Sequence, residues 1–99
     1  MSMSATAQAA LAAALSTRGP NKGKLLRSAP KTGTCANAAW QGAMMAVNPF
    51  KASVFAMMML SEGQCALAEE VRAHFDAMPK AERIKFDADR ATLEACGVW

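Results

Sequence analysis

Five cations crowd one stretch of this chain: Arg18, Lys22, Lys24, Arg27 and Lys31, within RGPNKGKLLRSAPKTGT at residues 18–34. Lysine and arginine at such density suit phosphate contact, where each neutralised phosphate releases counterions and makes binding strongly salt-dependent. Nothing nearby offers base reading: no helix presents a row of Arg, Asn or Gln, and the stretch holds no aromatic residue for stacking. The expectation is phosphate contact without sequence preference, set against a merely solvated loop. Arg18, Lys22, Lys24, Arg27 and Lys31 are therefore the candidate partner-binding residues.

Other reactive side chains are sparse. His74 is the only histidine, with no second histidine and no local thiol beside it, so neither a metal site nor a cofactor is expected. Cys35, Cys65 and Cys96 are widely spaced and odd in number, which argues against a secreted disulfide framework. They are expected as reduced, buried thiols. Gly19-Pro20-Asn21-Lys22-Gly23-Lys24-Leu25 has one residue too few for a phosphate-binding P-loop, and Leu25 stands where a magnesium-binding hydroxyl is needed. Lys31-Thr32-Gly33 matches a penicillin-binding tripeptide whose companion motifs are absent. No set of residues reads as catalytic, and the expectation is a protein that is not an enzyme.

Charge is divided along the chain. Residues 1–61 hold six Lys or Arg and no carboxylate, a charge of +6; residues 62–99 hold eight acids against five bases, −3. Such polarity governs encounter rather than fold. The acidic residues Glu69, Glu70, Asp76, Asp87 and Asp89 form a second candidate contact surface, able to mimic phosphate in a basic groove. Interspersed Arg72, Lys80, Arg83, Lys85 and Arg90 would neutralise part of it.

The elements that must position these groups read as helices throughout. Ser2 or Ser4 caps an alanine-rich helix through about Ser16, packing by Ala7, Leu11 and Leu15, with Gly19 and Pro20 as stop. After the basic linker, pinned to the body by Leu25 and Leu26, Thr34 caps a helix over Cys35–Val47. Asn48 and Pro49 end it and open a third helix to about Ser61. That third helix, apolar on nearly every side, is expected to be central. Methionines 44, 45, 57, 58 and 59 would fill the core or form an adaptable face for self-association. Ser61 and Gln64 have capping-box spacing for a helix to about Ala77 whose stripe is Leu67, Val71, Phe75 and Met78. Pro79 opens a last helix, closed by Gly97, with Ile84, Ala88, Ala91 and Ala95 as its apolar strip.

One domain over residues 1–99 is expected: all-α, a compact bundle of four to five short helices with a basic loop after the first. Residues 42–60 are long enough to span a bilayer, but Asn48, Pro49 and Lys51 interrupt them, and no membrane is expected as a partner. No cation precedes the apolar run 9–15, as a signal peptide requires, whereas residues 1–34, acid-free and rich in Ala, Ser and Thr, share the composition of a transit peptide, which leaves a targeting segment as an open alternative.

By its size, single helical domain and lack of catalytic residues, the chain resembles the small inhibitors encoded by phages and mobile elements, anti-CRISPR proteins first among them. The resemblance is one of general character and covers the whole chain. It implies a cytoplasmic protein of an infected bacterial host that blocks target nucleic-acid binding by a surveillance complex. The partner would then be a large protein or ribonucleoprotein. The alternatives are a small basic protein binding nucleic acid without sequence preference, and an accessory subunit of a large assembly.

Overall fold

The computed structural model describes residues 3–48 and 60–97, the side chains of 92 and 93 excepted. The fold is all-α, and its radius of gyration, 12.6 Å, is that of one compact body. Among the described residues the helices are α1 (Ala5–Ala14), α2 (Cys35–Val47), α3 (Glu62–Asp76), α4 (Lys80–Arg83) and α5 (Arg90–Ala95), with a 3-10 turn at Ile84–Phe86 after α4.

Ser4 caps α1 by accepting from the Ala7 N–H at 3.2 Å. Ala7, Ala10, Leu11 and Ala14 recur at three- and four-residue steps and are buried, which sets the helix face against the core. The helix stops at Ala14, two residues before the expected Ser16, so Arg18 lies beyond its last turn. The reason is long-range pairing. Leu15 is extended and forms an isolated antiparallel bridge with Leu25, and the Leu26 N–H donates to the Ala14 carbonyl at 3.0 Å.

Among the described elements α2 is the central one. Thr34 caps it through the Asn37 N–H, and Trp40, Ala43 and Val47 are fully buried. It packs chiefly on α3 and then on α1. The crossing with α3 is close because Gly42 has no side chain: a Cβ there would overlap the Ala68 carbonyl oxygen and lie 2.8 Å from its carbon. The third helix expected over Pro49–Ser61 lies outside the described residues, apart from partly buried Leu60 and from Ser61, and so do Met57, Met58 and Met59. Of the other methionines in that reading, Met44 is buried and Met45 half-buried.

The capping box opening α3 forms as its spacing suggested, with Ser61 and Gln64 bonded reciprocally at 3.4 Å. Its stripe is also as expected: Leu67, Val71 and Phe75 are buried, and Met78 packs partly against them.

The last helix does not run unbroken from Pro79 to Gly97. It breaks at Asp87, whose backbone is extended and whose carboxylate accepts from the Asn48 amide at 2.8 Å and from the Asp89 N–H at 2.9 Å. An aspartate that bonds the backbone two residues on competes directly with helical hydrogen bonding. Ala88 is buried, whereas Ala91 and Ala95 are exposed, so the expected strip ends at the break. Gly97 does close the segment, in a left-handed conformation with φ 78°.

The thiols correct a second expectation: Cys35, Cys65 and Cys96 are all exposed. Cys35 occupies the first turn of α2 and Cys65 lies off the Leu67–Val71–Phe75 stripe.

Candidate anion-binding face

The basic segment is folded onto the body by its own contacts. The Ser16 N–H donates to the Lys24 carbonyl at 2.8 Å and the Gly23 N–H to the Ser16 carbonyl at 2.9 Å, closing a short antiparallel hairpin. Gly23, at φ 83°, supplies the left-handed residue that this closure requires. Leu25 is fully buried, and Leu26 packs partly against the core while its carbonyl accepts from the Trp40 indole N–H at 2.8 Å. Both leucines thus anchor the segment as their apolarity suggested. Farther on, the Asn37 amide donates to the Pro30 carbonyl at 2.8 Å, and the Gln64 amide to the Gly33 carbonyl at 2.5 Å.

One of these bonds builds the face. The Leu25 N–H donates to the Phe86 carbonyl at 2.8 Å, so a residue of the basic hairpin is fixed to the 3-10 turn near the other end of the chain. Their neighbours are thereby drawn together. Lys22, Gly23 and Lys24 from the hairpin meet Glu82, Lys85 and Phe86 around an open cavity of about 310 Å³. Lys85 pairs with Glu82 at 3.3 Å, which leaves the rim with three ammonium groups against one carboxylate. The Asp87–Asn48 bond anchors the residue just beyond Phe86 to the end of α2.

The five candidate cations are not gathered at one place. Lys22 and Lys24 line the cavity, and exposed Arg18 belongs to the same hairpin tip. Arg27 instead pairs with Asp89 at 3.4 Å, and exposed Lys31 stands at the turn that leads into α2. Among the described residues, Arg18, Lys22, Lys24 and Lys31 take part in no ion pair.

The acidic candidates are largely engaged with their own chain. Asp87 is fully buried, which removes it from any contact surface and corrects its assignment there. Glu70 receives the Ser4 N–H at 2.6 Å, Asp76 pairs with Arg72 at 3.6 Å and with Arg83 at 3.5 Å, and Asp89 pairs with Arg27. Of the five, exposed Glu69 alone has no such partner among the described residues.

His74 is half-buried and meets the Phe75 ring edge-on at 5.6 Å. Among the described residues no three His, Cys, Asp or Glu side chains stand together as metal ligands, and no helix is long and apolar enough to cross a membrane. The arrangement at the hairpin can hold an anion through ammonium groups beside an aromatic surface. Lys85, Glu82 and Phe86 escaped the reading of the sequence because nothing local ties them to the basic segment, some sixty residues away. The one available signal was the pair of leucines inside a polar loop, which announces docking without saying where. Compared with protein-family models, curated proteins and solved structures, the chain matches none.

Proposed function

We propose that this protein acts by binding rather than turnover, seating Arg18, Lys22 and Lys24 against the phosphate backbone of a nucleoprotein assembly. The observation that carries this reading is the contrast between the two charged surfaces. The hairpin cations stand exposed or half-exposed without ion pairs, while Glu70, Asp76, Asp87 and Asp89 are occupied within the fold. Partners of this protein are therefore polyanions before they are basic grooves.

In its most specific form the proposal is inhibition in the manner of an anti-CRISPR protein. The assembly is then a nucleic-acid-guided surveillance complex, and the basic face covers its exposed strand so that target cannot enter. Binding to free nucleic acid without sequence preference is the second reading. It is favoured by the same cations, together with the absence from the described cavity of amide or arginine side chains that could read base edges.

A pull-down from host lysate, with and without nuclease, separates the two: a partner retained after nuclease supports the assembly. A gel-shift salt series tests the face itself. Replacing Arg18, Lys22 and Lys24 by Gln should lower the slope of log K against log salt by about 2 to 3. An unchanged affinity at low salt would rule out this face.

A further inference from the structure

We infer that the cavity between the hairpin and the 3-10 turn is a subsite for one nucleotide of a single strand, with the base against Phe86 and the flanking phosphates on Lys22 and Lys24. The inference rests on the polyanion reading above and narrows it from any phosphate polymer to an unpaired one.

The chemistry of the rim makes the choice. A duplex hides its base faces and offers a regular backbone, for which an aromatic wall beside lysines has no use. A single strand offers π-faces at the same spacing as its phosphates, and the usual solution is cations that follow the backbone with aromatics between them. Phe86 meets that pattern. It is half-buried and braced from below by Phe75, whose ring lies 4.9 Å away at 87°, while its remaining surface lines the cavity. A braced ring gives up little conformational freedom when a base stacks on it.

Cavity size agrees. About 310 Å³ lies at the lower end of the roughly 300–1,000 Å³ typical of small-molecule sites. The cavity is open to solvent, so a residue of a polymer can enter and leave it without threading. Glu82 disfavours phosphate directly beside it and pairs with Lys85 at 3.3 Å, which leaves Lys22 and Lys24 as the unpaired ammonium groups of the rim.

The test measures, by fluorescence anisotropy at low salt, binding of the whole protein to three probes of equal phosphate number: oligo-dT, the same strand carrying abasic sites, and a duplex. The subsite predicts that oligo-dT binds about tenfold or more tighter than the abasic strand, since stacking on an aromatic side chain discriminates by about that much per base. Phe86→Leu should reduce oligo-dT affinity toward that of the abasic strand. Because Phe86 also packs on Phe75, the comparison of probes on the unaltered protein provides a measurement independent of the variant's folding. Equal affinity for oligo-dT and abasic strand would overturn the subsite while leaving phosphate binding intact. Absence of binding to all three probes would overturn both readings together.

Discussion

Gly42→Ala adds one methyl group, and the structure says where it must go. An α-carbon substituent at this position overlaps the Ala68 carbonyl oxygen and comes within 2.8 Å of the Ala68 carbonyl carbon and 3.0 Å of its Cα. All three atoms are backbone of α3, held by helical hydrogen bonds, so no side-chain rotation can make room. Overpacking a close-packed interior costs about 1–3 kcal/mol, and a clash with backbone belongs at the upper end. The better helix propensity of alanine returns about 1 kcal/mol. The net expectation is a loss of about 2 kcal/mol, and the melting temperature should fall by roughly 8–16 °C for a domain of this size. Gly63 provides the matched control. It lies in the first turn of α3 with open space where its Cβ would stand, so Gly63→Ala should be neutral or slightly stabilising. Thermal and urea melts followed by circular dichroism compare the two variants directly. A Gly42→Ala protein that melts at or above the temperature of the parent would refute the close crossing of α2 and α3, and with it the account of how the core is assembled.

Two further outcomes follow from other parts of the fold. Asp87→Ala removes the acceptor of both the Asn48 amide and the Asp89 N–H in a buried setting. It should destabilise the protein by about 2–4 kcal/mol in denaturant melts, with Asp87→Asn losing less because one acceptor oxygen remains. Since Phe86 adjoins Asp87, the alanine variant should also weaken oligonucleotide binding. Cys35, Cys65 and Cys96 are all exposed, so a disulfide reagent such as Ellman's should titrate three thiols in the native protein, at rates little changed by denaturant.

The sequence by itself determined the helical class and where α2 and α3 begin. Thr34 before Cys35 and the Ser61–Gln64 pair are local capping chemistry, complete within four residues, and the structure uses them as the spacing implies. The Leu67–Val71–Phe75 stripe is equally local, because helical periodicity alone places those side chains on one face. Tertiary structure decided the rest. Leu15 leaves α1 because it pairs with Leu25, and the last helix breaks because Asp87 is taken by Asn48, thirty-nine residues away. The cavity has the same origin. Lys22 and Lys24 were legible as a basic loop, whereas Lys85 and Phe86 join them only through the Leu25–Phe86 backbone bond. Composition and periodicity fix what a segment prefers alone, but bonds between distant segments depend on which partners the folded chain brings within reach.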